Sequence, residues 1–335
     1  MDLIQVSRNC PVVYIVVPCY NEEEVLPETA KRLREKVRGL IGEKTISPRS
    51  RILFVNDGSR DRTWEMIETL CKAEPLFGGV KLSRNKGHQN AVLAGLMTAQ
   101  PLCDCAISID ADLQDDVNAI DQMIADFRAG SDIVYGVRSS RETDTFFKRF
   151  TAEGFYKVMQ HMGVDLVFNH ADYRLMSARA LKGLEDYHEV NLFLRGIVPQ
   201  IGYKTSSVTY ARSERFAGES KYPLKKMLAL AWNGITSFSV KPISLVLGLG
   251  VLMTGGAALA GIILLIVQLV THSLTALSAL LFSVWMVGGL TLTGLGVVGE
   301  YVGKIYGEVK ARPRYIIEAV DLDPGVEKSE AADEE

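Results

Sequence analysis

Charge is missing from one long stretch of this 335-residue chain. Between Lys241 and Glu300 there is no Asp, Glu, Lys or Arg, a run of 58 residues. That excludes an ordinary solvated loop or surface helix there, and the run is long enough for two membrane-spanning helices at roughly 20 residues each. A basic excess is lacking too. Lys and Arg number 37 against 40 Asp and Glu, a formal net charge of -3, so nothing in the balance points to nucleic acid. Cysteine is scarce: Cys10, Cys19, Cys71, Cys103 and Cys105 form an odd set without metal-ligand spacing. This argues against a disulfide framework or a thiolate metal site and suits a reducing compartment. Cys103 and Cys105 read as buried thiols. The five histidines are scattered, with no metal-site pattern. Met1 to Cys10 lacks a charged start followed by an apolar segment, so no signal peptide is expected, and the first 240 residues should stay on the side of a membrane where they are made. No internal repeat is visible beyond the pair of apolar spans.

What is present before that run is an alternation of short apolar strands and amphipathic helices. Pro11 to Pro18 is β-branched and stops at a proline, as a central first strand would. Cys-Tyr-Asn-Glu-Glu-Glu follows, then a helical pattern through Leu26, Leu33, Val37 and Leu40. Arg51 to Asn56 reads as a second strand; Asp57-Gly58 marks a turn, and Ser59 or Asp61 can cap the helix through Trp64, Ile67 and Leu70. Val80 to Leu82 is a third strand, followed by Ser-Arg-Asn-Lys-Gly-His-Gln-Asn and a helix over Ala91 to Ala99. Cys105 to Ile109 is a fourth and Asp132 to Val137 a fifth. Each polar switch follows a strand, which predicts an α/β fold with a doubly wound, mainly parallel sheet whose strand ends form one crevice.

The fourth strand runs into Ile-Ser-Ile-Asp-Ala-Asp-Leu-Gln-Asp-Asp, Ile107 to Asp116. Asp110 and Asp112 should emerge at its carboxyl end, where open α/β sheets bind ligands. With the Gln114 amide they can converge on one hard cation, Mg²⁺ or Mn²⁺, of the kind shared with a nucleotide diphosphate. The plainer alternative is an acidic turn that caps the helix starting near Asp116.

Four segments together, Val17-Pro18-Cys19-Tyr20-Asn21-Glu22, Val55-Asn56-Asp57-Gly58-Ser59, Arg84-Asn85-Lys86-Gly87 and Asp110-Ala111-Asp112-Leu113-Gln114-Asp115, resemble the nucleotide-sugar domain of glycosyltransferase family 2. More narrowly the chain resembles the polyprenyl-phosphate branch, which includes dolichol-phosphate mannose synthases and bacterial undecaprenyl-phosphate sugar transferases. The likeness extends through Asp172 to Ser177, Arg212 to Pro223 and Gly299 to Tyr315. Asp115-Asp116-Val117 departs from it, standing where many members have a proline-containing turn. The resemblance implies a GT-A-like domain, with Pro18, Tyr20 and Glu22 in the first nucleoside-contacting loop and Asp57 as the carboxylate that recognises the base. It implies Lys86 on the nucleotide sugar, Asp110 near the ribose and diphosphate, and Asp112 and Gln114 on the metal. Asp172 is implied near the reacting centre. It can act as a base or orient Arg174 or the incoming phosphate. A lipid monophosphate, titrating at about pH 6 by analogy with phosphorylated side chains, is already largely anionic and needs no strong base.

Basic and apolar residues mix beyond the sheet. Arg138-Ser-Ser-Arg141 leads into a helix over Phe146 to Met162, and a second such helix spans Tyr222 to Phe238. Both have the composition of an interfacial helix on an anionic leaflet, or of a core helix with a basic outer face. Between them, Arg212, Arg215, Gly218, Ser220 and Lys221 can grip phosphate, as can Arg138. The expected organisation is a catalytic domain over 1–215, a juxtamembrane helix over 216–243, membrane spans over 244–270 and 277–302, a cytoplasmic segment over 303–320 and a disordered acidic tail over 321–335. Positive residues at both outer ends of the spans and none between them place both ends in the cytoplasm. Gly294 to Gly299 fits a GxGxxG pattern, but it follows no strand and is discounted as a dinucleotide site. Gly299, Gly303 and Gly307 suit close helix packing, including between copies of the chain.

The expected activity is inverting transfer of one hexose from a nucleotide sugar, UDP-glucose or UDP-N-acetylglucosamine, to polyprenyl phosphate at the cytoplasmic face of a bacterial membrane. Asp112, Asp172, Arg215 and Lys221 are the candidate catalytic residues. A processive polysaccharide synthase would share the crevice, but it usually needs more membrane helices and a Gln-x-x-Arg-Trp segment, which the chain lacks. A membrane protein that binds nucleotide sugar or lipid without turnover is the other alternative.

Overall fold

The computed structural model describes residues 8–138, 170–189, 192–211 and 276–323, with single helical positions between 243 and 266. The helices expected over Phe146–Met162 and Tyr222–Phe238, the segment carrying Arg212, Arg215, Ser220 and Lys221, and the acidic tail beyond Asp323 lie outside the described residues.

Continuous apolar runs make the centre of the sheet. Strands β1 (Val13–Cys19), β2 (Arg51–Asn56) and β4 (Cys105–Ser108) are buried at every position, as strands covered by helices on both faces must be. With β3 (Phe77–Leu82) they are parallel and in register, Ile15 lying opposite both Ile52 and Ile107. The connections are helices α1 (Leu26–Gly42), α2 (Thr63–Ala73), α3 (His88–Ala99) and α4 (Ala119–Arg128). Helix α1 opens with Pro27 in its first turn, where a missing N–H costs nothing. It then buries Leu26, Leu33, Val37 and Leu40 along one stripe. Truncating a fully buried side chain such as Leu33 to alanine costs about 2–5 kcal/mol. Helix α3 lies so close on the sheet that a Cβ at Gly95 would stand 2.4 Å from Val16 Cγ1 and 2.6 Å from Val55 Cγ2. Glycine is the residue that allows this approach.

The full sheet has eight strands in the order β7-β5-β6-β4-β1-β2-β3-β8, so the expected mainly parallel α/β sheet is present, with three additions. Strand β6 (His170–Ser177) runs antiparallel between β4 and β5 (Ile133–Arg138). Strand β7 (Thr205–Tyr210) extends the sheet parallel to β5. Strand β8 (Ile317–Asp321) pairs antiparallel with β3 at the other edge. The segment expected as a separate cytoplasmic piece over 303–320 therefore contributes a strand to the sheet, and Asp321, the first residue of the expected tail, ends that strand. Arg51 Nε donates to the Asp323 carbonyl at 3.3 Å, and Lys81 pairs with Glu318 at 2.7 Å. Two short elements follow β6, helix α5 (Ala178–Glu185) and the single turn α6 (Leu194–Ile197).

The described residues between 243 and 312 belong to a second compact unit. Its described part is dominated by α7 (Ala276–Val309), 34 residues long, which carries the GxGxxG pattern in mid-helix with no strand before it. Exposed Leu280, Val284, Val287, Leu292, Leu295 and Val298 stud its surface. A Cβ at Gly294 would touch Val246 Cγ1 at 3.4 Å, whereas Gly299, Gly303 and Gly307 meet nothing within 4 Å among the described residues. Among those residues no helix offers an unbroken run long and apolar enough to cross a membrane.

Candidate active site

Three polar loops leave the carboxyl ends of β1, β2 and β3, and their residues hold one another. The Asn21 amide donates to Ser59 Oγ at 3.0 Å while Asn21 Oδ1 accepts from the Arg60 amide at 2.9 Å. The Glu22 amide donates to Thr63 Oγ1 at 3.0 Å, and Asp61 accepts from the amides of Glu23 and Thr63. The N-cap of α2 is Arg62, without a side-chain cap, so neither Ser59 nor Asp61 occupies the capping position expected from the sequence; Asp61 instead accepts the Thr63 amide from one residue further out. The third loop is fastened by Asp57. Its buried carboxylate accepts from the Lys86 amide at 2.6 Å and the Gly87 amide at 2.9 Å. Burial still pushes its pKa above the usual carboxylate value, against the pull of those two amides. At Gly58, φ is +63° and a Cβ would come within 2.5 Å of the Asn85 nitrogen, so no larger residue fits between the second and third loops.

The loop after β4 carries the acidic cluster. Burial alternates along it: Ala111, Leu113 and Asp115 are buried, while Asp110, Asp112 and Gln114 share the more open side. Leu113 sits at φ +57°, and Asp112 Oδ1 accepts the Gln114 amide at 3.2 Å, so the chain turns within the cluster. Thr29 Oγ1 ties the segment to α1 through the Ala111 carbonyl at 2.7 Å. The Asp110 carboxyl is pushed up to about 6, first by burial and then by Asp115, Asp172 and Asp112, with His88 opposing. A carboxyl group whose charge is opposed by its acidic neighbours, with a second carboxylate and an amide oxygen on the same side, is a donor set that fits a hard divalent cation. Among the described residues no three His, Cys, Asp or Glu side chains form a complete metal cage. Two carboxylates and an amide leave coordination positions for water and phosphate oxygens instead.

Strand β6 brings a further carboxylate to the same edge. It runs antiparallel, with Ser108 opposite Arg174, so Asp172 near its start lies beside the exit of β4. His88, at the first position of α3, stands 3.4 Å from Asp110 Oδ1 and 3.7 Å from Asp172 Oδ2. Asp172 is also held by Arg174, Nη2 to Oδ1 at 2.7 Å, and by Arg195 at 3.1 Å to each oxygen. Burial would raise its pKa, but the two guanidinium groups hold it far below the usual carboxylate range. A carboxylate so placed is a poor proton acceptor at neutral pH.

On the buried side of the same loop, Asp115 accepts from Tyr210 Oη at 2.5 Å and lies 3.6 Å from Arg138 Nη2. Arg138 is thereby anchored at the last position of β5.

A family model described as glycosyl transferase family 2 matches residues 14–184, the span that contains all four loops and β6. The chain belongs to this family. YkoT of Bacillus subtilis, named an uncharacterized glycosyltransferase, is 54% identical over 95% of this chain and 93% of its own length. The prophage bactoprenol glucosyl transferase homolog of Escherichia coli K12 is 38% identical over 92% of this chain and 99% of its own. The SfII prophage-derived bactoprenol glucosyl transferase of Shigella flexneri is 39% identical over 91% and 97%. The protein is a glycosyltransferase, and its likeness to the bactoprenol enzymes supports the polyprenyl-phosphate branch.

In this glycosyltransferase Tyr20, Glu22, Asp57 and Lys86 lie on the first three loops and Asp110, Asp112 and Gln114 on the fourth, all at the carboxyl edge of the sheet, where His88 links Asp110 to Asp172 of β6. Pro18 is inside β1, and Tyr20 is exposed beyond its end. Arg138 lies on the β5 side, paired with Asp115. His88 and Arg195 were not singled out from the sequence. Their acidic partners are more than twenty positions away in the chain, and no spacing marks either one. Cys105 is buried and Cys103 half-buried, and burial raises the pKa of both thiols.

Proposed function

We propose that this glycosyltransferase moves a single hexose, with inversion, from a nucleotide sugar to polyprenyl phosphate at a membrane surface. UDP-glucose is the favoured donor and UDP-N-acetylglucosamine the next. The observation that carries the reading is the meeting of Asp110, Asp112 and Gln114 with Asp172, His88 and Arg195 at the carboxyl edge of the sheet. The names of the bactoprenol relatives support the acceptor and the glucosyl group. The uncharged run of 58 residues and the exposed apolar surface of α7 support two spans, with the catalytic domain and both ends in the cytoplasm.

Asp110, Asp112 and Gln114 would hold Mg²⁺ or Mn²⁺, which neutralises charge on a departing diphosphate. The protein's own groups do the rest. Asp57 keeps the third loop in place beside the nucleotide. Arg138, Arg212, Arg215, Ser220 and Lys221 receive phosphate, and excluding water from the crevice strengthens each of those contacts. The acceptor oxygen is anionic already, so the chain needs to orient it and not to deprotonate it. A cluster of this kind also suits a processive synthase, and product length separates the two.

The test is a screen of radiolabelled nucleotide sugars with undecaprenyl phosphate and the purified full chain. Label in the organic phase as a lipid bearing one sugar is the expected result. Label that stays aqueous with every donor, or that grows into polymer, would overturn the reading.

A further inference from the structure

Asp172 accepts from two guanidinium groups, one buried and one partly open. Arg174 reaches it from inside the fold, with 2% exposure, and alone offsets its charge. Arg195 approaches from the open side with 35% exposure, laying Nε and Nη2 along both carboxylate oxygens at 3.1 Å. Arg195 is thus the more open guanidinium of the trio Asp172, Arg174 and Arg195, the one a ligand at this edge of the sheet would meet first.

The backbone beneath Arg195 is fixed from two directions. The Leu194 amide donates to Gln89 Oε1 on α3 at 2.9 Å, and the Leu194 carbonyl accepts from Arg174 Nη1 on β6 at 3.4 Å. The single turn α6 is thus clipped between the helix that carries His88 and the strand that carries Asp172. His88 in turn spans from Asp172 to Asp110. An arginine whose flexible stem is held by a carboxylate has already lost the rotamer freedom that anion binding would otherwise cost, and its planar fork matches phosphate oxygens.

Building on the transfer reading above, we propose that Arg195 is a phosphate-binding cation of the transfer site and that Asp172 is a positioning residue that holds it there, not a base. The phosphate is the diphosphate of the donor or the monophosphate of the acceptor; the chemistry of recognition is the same.

The experiment compares the wild-type full chain with Arg195→Ala, Arg195→Lys, Asp172→Asn and the double variant Asp172→Asn/Arg195→Ala. Steady-state transfer is measured with undecaprenyl phosphate, and UDP affinity is measured directly. Arg195→Ala is expected to lower kcat/KM by about 100-fold, the scale of losing one charged contact to a transition state. Arg195→Lys should recover part of that, as a point charge without the fork. The double variant should lose less than the product of the two single losses, because Asp172 works in part through the residue already removed. A base acting independently would make the two losses multiply. A fall in UDP affinity in Arg195→Ala assigns the donor diphosphate, and a raised KM for undecaprenyl phosphate alone assigns the acceptor.

Arg195→Ala with wild-type rate, KM and UDP affinity would overturn the inference, as would multiplicative losses in the double variant. If Asp172→Asn does not fold, the Arg195→Ala and Arg195→Lys pair still decides through the partial recovery and the UDP affinity. A wild type that transfers no sugar refutes the transfer reading alone, and UDP affinity then tests Arg195 separately.

Discussion

Replacing Asp57 by asparagine changes one atom in a buried clasp between two loops. The carboxylate receives two backbone N–H groups, from Lys86 at 2.6 Å and Gly87 at 2.9 Å, and is 2% exposed. Hydrogen bonds to a charged acceptor contribute about 1.5–3 kcal/mol each, and a buried donor left without an acceptor costs about 1–3 kcal/mol. Asparagine keeps one acceptor and turns an NH₂ toward the other amide. One bond is weakened to the neutral kind and the second is replaced by two donors facing each other. Against this stands relief from burying a charge, an effect visible in the raised Asp57 pKa. The balance is a loss of about 2 kcal/mol, equivalent to a fall in Tm of about 4–8 °C for a domain of this size. Because the clasp holds the third loop, UDP affinity should also fall, by about tenfold if about 1.4 kcal/mol of loop ordering must be recovered on binding. Thermal unfolding of the detergent-solubilised full chain and titration with UDP measure the two effects. Unchanged Tm together with unchanged UDP affinity would refute the assignment of Asp57 as the fastening of that loop.

Asp112→Ala should reduce transfer by at least about 100-fold, and EDTA should do the same to the wild type reversibly on adding Mn²⁺; transfer assays with and without chelator check both. Gly58→Ala should destabilise by about 2–4 kcal/mol, because a left-handed backbone and a Cβ pressed on the Asn85 nitrogen must both be accommodated; denaturant titration reads it. Asp132 is buried, which alone would raise its pKa, yet bonds from Arg179 and Ser177 and the charges of Arg179 and Arg8 bring it below the usual carboxylate value. A depressed folded-state pKa gives stability that is present above the unfolded value of about 3.9 and is lost as pH falls below it. Asp132→Asn should therefore lower stability at neutral pH and flatten its decline below about pH 4, as followed by thermal unfolding across that range.

The sheet's centre was legible because β1, β2 and β4 are apolar runs that stop abruptly at polar residues, and a parallel strand covered on both faces has little other way to be written. The same abrupt stops located Asp57, Asp110 and Asp112. Strand β6 was not legible as a strand. It carries Asp172 and Arg174 in the middle of the sheet, where the two charges offset each other, and the further clamp on Asp172 comes from Arg195, a residue supplied by a later segment. Strand β7, Thr-Ser-Ser-Val-Thr-Tyr, buries only Val208 and Tyr210 and lacks the apolar density that marks a central strand. Helix α3 begins at His88, earlier than the apolar pattern from Ala91 suggests, because Gly87 at φ +87° turns the chain into it. That earlier start puts His88 between Asp110 and Asp172, a placement that three-residue and four-residue periodicities could not show.

Strand β8 gives the chain an unusual order of parts. The uncharged run is an insertion within the strands of one sheet, since β7 precedes it and β8 follows it. Cutting the gene before the apolar region, the ordinary route to a soluble fragment, would thus strip β3 of its outer neighbour and leave an open row of amides and carbonyls ready to pair with another molecule. A water-soluble version should instead bridge residue 211 to residue 313 with a flexible linker, or supply the last strand as a separate peptide.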